Sequence, residues 1–205
     1  MAPPSIRKIG VIGSGQIGPD IALYFSKVFH DRKVPVVVVD IRQEALDAGR
    51  EKTRKKLAKG VESGAFRQGE VDSMLANLSW TTEYGALAGA DLVVEAATED
   101  VGIKRKIFET VERSCPPTAI LASNSSHLEP EVIFEKAQDP ARCLVIHYFF
   151  PAERNIIVEV VPGRNTSKAT AETCMRLYES IGKVPLKVGS RYGYAIDPVF
   201  EGLFL

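Results

Sequence analysis

"RKIGVIGSGQIG", residues 7–18, decides the fold of this chain. A short apolar run leads into Gly13, Gly15 and Gly18, at G-x-G-x-x-G spacing. That spacing alone is a weak signal. Its surroundings make it specific. Residues 16–29 follow with Ile17, Ile21, Leu23, Tyr24 and Phe25 on one helical face. Next comes "VPVVVVD", 34–40, a β-branched run without alternation, which predicts a strand covered on both faces. The first forty residues therefore predict strand, glycine turn, helix, strand.

Each residue of this unit has a physical task. Gly13 permits a tight turn, Gly15 lets a pyrophosphate approach the backbone, and Gly18 lets helix and sheet pack closely. Gln16 and Ile17, between them, are expected to join the cofactor-binding loop. The amides at the helix N-terminus offer donors and positive potential to phosphate. Asp40, 22 residues beyond Gly18, stands near the position expected of a ribose-binding acid. Its charge disfavours a 2′-phosphate, so the cofactor predicted is NAD rather than NADP, with Arg42 near enough to blur the choice. Asp20, in the first turns of the helix, would repel a pyrophosphate and is expected to face away from it.

The same rhythm continues. Helices are predicted at 42–59, 68–76, 100–113, 130–137 and 167–181. Strands are predicted at 78–82, 91–95, 118–122, 142–147, 156–161 and 183–188. Strands separated by helices imply an α/β fold: a Rossmann-type doubly wound, three-layer sheet. Its ligand crevice should lie beyond the carboxyl ends of the strands. That rim would hold Gly13, Asp40, Glu95, Ser123 and His147. The charged segment "REKTRKKLAKG", 50–60, and the helix after it predict a projecting basic arm. Such an arm suits either a phosphorylated ligand or plain solvation.

Bulk properties narrow the classes. The chain has 205 residues, 26 basic and 26 acidic, and a net charge of zero. That balance argues against nucleic acid as a partner. No 18-residue apolar window occurs, so no membrane span is expected. Cys115, Cys143 and Cys174 give neither a disulfide framework nor metal-ligand spacing, so no metal is predicted and a reducing, cytoplasmic setting is expected. The tail "DPVFEGLFL", 197–205, begins an apolar helix-like segment. We expect residues 1–190 to form the dinucleotide-binding domain. Residues 191–205 would then lead to a second domain, missing here or supplied by a partner.

A candidate chemistry lies in the second half. His147 ends the strand "CLVIH", and Glu159 sits inside the apolar strand "NIIVEVV". A buried acid needs a partner, and His147 is the natural one. The pair would fix the imidazole tautomer and leave its other nitrogen to take a proton. An alcohol whose carbinol carbon loses hydride to a nicotinamide needs such a base for its hydroxyl proton. Ser123, Asn124, Ser125 and Ser126 follow another strand. They suit either ligand contacts or capping of the turn before Pro130.

These motifs together resemble the NAD-binding domain of the 3-hydroxyacyl-CoA dehydrogenase family. The resemblance runs from about residue 6 to 198 and rests on five stretches: "GVIGSGQIG" with "VVVVD", "DLVVEAATEDVGIKRKIF", "LASNSSHL", "IHYFFPAERNIIVEVVPG" and "IGKVPLKV". It implies an NAD-dependent oxidoreductase that interconverts 3-hydroxyacyl-CoA and its 3-keto form. It implies His147 as catalytic base, Glu159 as the acid orienting it, and Ser126 on the substrate oxygen. Asn124 would lie near the nicotinamide, with Glu99 and Lys104 lining the cofactor cleft. The arm would contact coenzyme A, and a dimer would be expected through a C-terminal segment.

The chain departs from the family pattern at three places. Phe150 replaces the asparagine after H-F-F, Asp197 and Pro198 replace asparagine and arginine, and Asp20 stands where glycine is common. Loss of one active-site donor costs about 3 kcal/mol of transition-state stabilisation. The departures leave two alternatives: a dehydrogenase for another β-hydroxy acid or carrier-bound substrate, and a catalytically weak NAD-binding module.

Overall fold

A computed structural model describes residues 4–195 and Val199. Asp197, Pro198 and residues 200–205 of the apolar tail lie outside the described residues. The opening unit is β1 (Ile9–Ile12), α1 (Gly18–Phe29) and β2 (Val36–Val39). The arm follows as α2 (Gln43–Glu62) and α3 (Gln68–Ala76), then β3 (Leu78–Thr81). Next come β4 (Leu92–Glu95), α4 (Val101–Ser114), β5 (Ile120–Ser123), α5 (Pro130–Ile133) and β6 (Cys143–Tyr148). The chain closes with β7 (Ile157–Pro162), α6 (Lys168–Ser180) and β8 (Val184–Lys187).

Among the described residues, eight strands form one sheet in the order β3-β2-β1-β4-β5-β6-β7-β8. β1 pairs in parallel with both β2 and β4, so the order reverses there, and the crevice opens beyond those strand ends. Parallel pairing continues through β6, whereas β7 runs antiparallel to β6. The cause is chain length. Only residues 149–156 join these two strands, and a parallel crossover needs a dozen or more.

The central strands feed two cores by alternation. Val36 and Val38 of β2 join Ile21 and Phe25 of α1 and Leu177 and Tyr178 of α6 in one core. Val37 and Val39 join Phe108 and Val111 of α4 in the other. This is why the valine run shows no polar alternation: both faces are covered. The arm has a small core of its own, where Leu57 of α2 meets Val71 and Met74 of α3 on Leu23 of α1.

Several boundaries shift by a few residues, the helix expected over 42–59 running on to Glu62, and two shifts have a visible cause. The strand expected at 118–122 begins at Ile120, because the amide of Ala119 donates to Pro116 O in a turn. The helix expected over 130–137 ends at Ile133. Phe134 leaves helical geometry and packs its ring 4.6 Å from Phe108. A tertiary contact there outweighs local propensity.

Candidate active site

The glycine turn is shaped by steric exclusion. Gly13 has φ +96°, a conformation natural to glycine, and a Cβ there would meet Ala96 O at 2.7 Å. A Cβ on Gly18 would lie 1.9 Å from Gly13 O, so this position admits no side chain. A Cβ on Gly15, by contrast, would meet nothing within 4 Å. Its open face borders the cleft. Among the described residues, no acceptor takes the amides of Gly15, Gln16 or Ile17. Free amides beside open space at a helix N-terminus fit a pyrophosphate. At the end of β2, Asp40 accepts from Ser14 N at 2.7 Å and Arg42 N at 2.9 Å. Those bonds aim the carboxylate and leave lone pairs for a diol. The residues present thus fit a dinucleotide.

Asp20 does face away from the loop's open side. It is buried, with Lys52 Nζ at 3.0 Å and Lys56 Nζ at 2.8 Å. Lys56 also reaches Glu153 at 2.5 Å, tying α1, α2 and the β6–β7 connection together.

The strand ends beyond β4 and β5 carry a buried polar knot. Glu95 lies in register with Ser123, and both are fully buried. Lys104 of α4 reaches Glu95 Oε2 at 2.7 Å and Ser123 Oγ at 3.1 Å. Ser123 donates to the same carboxylate at 2.7 Å, and Ala97 N caps its other oxygen at 2.8 Å. Every polar group there is satisfied, which a buried ion pair requires. Glu99 stands at the cleft and accepts from Ser125 Oγ at 2.7 Å and Ser126 N at 3.0 Å. Ser125 also accepts from Leu128 N, so it caps the turn. The Ser126 hydroxyl lines the cleft with no partner among the described residues. Asn124 spends its carbonyl oxygen on Tyr148 N, at 2.9 Å, and so ties β5 to β6.

The antiparallel register sets His147 directly opposite Glu159. Nδ1 of the imidazole lies 2.8 Å from Glu159 Oε2, and both residues are buried. Glu159 Oε1 also accepts from Ala195 N at 3.1 Å. The carboxylate is thus held at both ends, and it assigns the Nδ1 proton to itself. Nε2 is the nitrogen left for the cleft. Two rings bracket the imidazole: Phe149 at 4.5 Å and Tyr194 at 5.7 Å between centroids. Sequence reasoning gave neither ring a role. The short β6–β7 connection was the available signal for Phe149. Tyr194 carried none, because its position comes from a hydroxyl bond to Leu128 O, 66 residues away.

These groups surround one cleft of about 460 Å³. Gly15, Gln16 and Ile17 form one wall, and Ala96, Ala97 and Thr98 another. Glu99, Lys104, Asn124, Ser126 and His147 supply its polar lining, and Phe149 and Phe150 its aromatic lining. A second cavity of about 320 Å³ lies at the arm, where Lys27, Lys56, Lys59 and Arg154 stand around Leu23, Leu57 and Phe66. Burial pushes the Cys115 thiol up to about 11 and those of Cys143 and Cys174 to about 12, so none is a thiolate near neutral pH. Among the described residues no group of three or more His, Cys, Asp or Glu is placed to hold a metal. No described helix is long and apolar enough to cross a membrane.

Comparison with known proteins decides the family. The model of the 3-hydroxyacyl-CoA dehydrogenase NAD binding domain matches residues 8–191. The chain belongs to the 3-hydroxyacyl-CoA dehydrogenase family. Over 192 residues it is 33% identical to a 3-hydroxybutyryl-CoA dehydrogenase of Clostridioides difficile, covering 94% of this chain and 67% of that protein. Over 199 residues it is 34% identical to a fatty acid oxidation complex subunit alpha of Shewanella loihica, covering 97% of this chain but 28% of that protein. The crystal structure of (S)-3-hydroxybutyryl-CoA dehydrogenase from Ralstonia eutropha superposes with a TM-score of 0.90 at 28% identity, covering 96% of this chain and 68% of that one. The chain therefore spans from about a quarter to two thirds of the relatives it matches.

Proposed function

We propose that this chain is the cofactor-binding and catalytic part of an NAD-dependent dehydrogenase that interconverts 3-hydroxyacyl-CoA and 3-ketoacyl-CoA. The observation that carries the reading is the His147–Glu159 pair, 2.8 Å apart at the rim of a cleft that also receives the glycine loop. His147 Nε2 takes the proton from the substrate hydroxyl. Glu159 holds the ring in the tautomer that leaves Nε2 free, and stabilises the imidazolium. Ser126 donates to the substrate oxygen, and Asn124 stands where the nicotinamide enters. NAD, when bound, supplies the hydride acceptor. The amides of Gly15, Gln16 and Ile17, with Gly13 and Gly18 shaping the turn, would hold its pyrophosphate, and Asp40 its ribose. Glu99 and Lys104 border the same cleft.

The arm supports coenzyme A as the carrier. Its cavity sets Lys27, Lys59 and Arg154 around an apolar floor, which suits phosphates joined to an aliphatic chain. Residues 1–190 form the dinucleotide-binding domain in this reading, and 191–205 lead towards a second domain through which the protein forms a homo-oligomer. A cytoplasmic setting without nucleic acid completes the proposal.

The test is NADH formation from 3-hydroxybutyryl-CoA by the full protein and its H147A and E159A variants. Loss of turnover in both variants, with NAD binding retained, is the expected result. Unchanged rates would remove these two residues from the mechanism.

A further inference from the structure

Phe150 is an exposed ring in a place where exposure has a cost. It is 65% exposed, on the rim of the cleft that holds His147. Single exposed apolar side chains are common on surfaces and mean little by themselves. This one differs because its loop is fastened from below. Pro151 O accepts the amides of Arg154 and Asn155 in a closed turn. Lys183, itself buried, donates to Ala152 O at 2.7 Å and Asn155 O at 2.5 Å. Lys56 holds Glu153 from the arm side. Ala152, two residues after the ring, is fully buried. The ring is therefore displayed by a built loop.

The cleft is two-sided in chemistry. Asn124, Ser126 and Glu99 make its polar wall, at the ends of β4 and β5. The β6 side, by contrast, ends in Phe149 and Phe150, with Phe149 already on the imidazole at 4.5 Å. A substrate whose carbinol oxygen meets His147 Nε2 and Ser126 shares its cleft with this aromatic wall, where the Phe150 ring lies 5.8 Å from Lys52 Nζ of the arm. Phe150 offers the substrate no donor. It offers a ring face and edge, which favour another aromatic ring over a small alkyl group.

We propose that Phe150 is the specificity-determining residue of this site, and that it selects 3-hydroxyacyl thioesters bearing an aryl group at the reacting carbon. The inference rests on the dehydrogenase reading above and names the substrate class of that same site. Replacing the ring by an amide removes the stacking surface and restores a donor, so F150N should reverse the preference.

The experiment compares 3-hydroxy-3-phenylpropionyl-CoA with 3-hydroxybutyryl-CoA on the full-length protein and its F150N and F150L variants, with KM for NAD measured in parallel. The wild type is expected to favour the phenyl substrate by about ten-fold or more in kcat/KM, the scale on which pockets discriminate apolar groups. F150N should bring that ratio to one or below. F150L, which keeps an apolar wall without a ring, should fall between them. An equal or opposite preference in the wild type, or a ratio unmoved by F150N, overturns the inference and leaves the dehydrogenase reading standing. A change confined to KM for NAD overturns it too, placing the ring on the cofactor. Absence of turnover with both substrates, despite NAD binding, would sink the dehydrogenase reading and this inference with it.

Discussion

The two halves of the sheet hold their ligand groups in different ways. On the β1–β5 side the working parts are mostly backbone: free amides, a turn at φ +96°, and an acid fixed by two amides of its own neighbourhood. On the β6–β8 side they are side chains brought together across strands, His147 with Glu159 and, from further on, Tyr194. At Gly13 and Gly18 the backbone tolerates little change because a Cβ there collides, whereas one on Gly15 would meet open space. Side-chain sites accept substitution at the rim while the pair below is kept. In this chain the loop keeps Gly13, Gly15 and Gly18 with Asp20 buried beside them, while the rim above the pair carries Phe150.

The comparison can be broken from either end. The largest effect is expected at His147. H147A should lower kcat by about a thousand-fold, within the usual reach of general base catalysis, while calorimetry finds NAD affinity unchanged. A parallel loss of NAD binding would show that the halves are not separable. Next is the knot under the cofactor side. K104M strands Glu95 in a dry site, and loss of one partner of a buried ion pair costs about 3–5 kcal/mol. Denaturant unfolding reads that directly, and a shift under 1 kcal/mol would mean that the pair is not as dry as its burial implies.

A smaller loss is expected from G18A, which sets a methyl against Gly13 O and should cost about 1–3 kcal/mol with weakened NAD binding. If NAD affinity stayed at the wild-type value, the turn would be shown to yield, and the rigid-backbone account with it. The smallest effect sharpens the other half. Burial lowers the Lys183 pKa to about 8, below its ordinary value. The folded protein thus holds that proton less tightly than the unfolded chain does. Its penalty is fully present below pH 8 and is relieved as pH rises towards the unfolded value. Wild type should therefore gain stability relative to K183M between about pH 8 and 10. A flat difference across that range would count against a buried, charged Lys183.

Much of the cofactor side was legible because its signals are local. Gly13 to Gly18 and Asp40 lie within 28 consecutive residues, and the valine run announced a strand with two covered faces. The arm helix expected at 68–76 was also readable, and it spans Gln68–Ala76. The direction of β7 was less so, since local pattern does not encode pairing direction, although the eight-residue connection carried it. Lys104 as the partner of Glu95 was hidden for a different reason: nine residues and a helix start separate them, and only the docking of α4 on the sheet joins them. Phe134 closed its helix early for a ring 26 residues away, which no window over 130–137 contains.

The cross-strand placement of His147 and Glu159 has a mechanical consequence. The two residues are neighbours in one ladder, so their separation is fixed by the pleat of the sheet. Any closing of the arm or of an attached domain over the cleft moves relative to that ladder as a whole. Such motion can open or shut the path to Nε2, yet it cannot stretch the bond that orients the ring. The imidazole stays aligned with its carboxylate whatever moves above it.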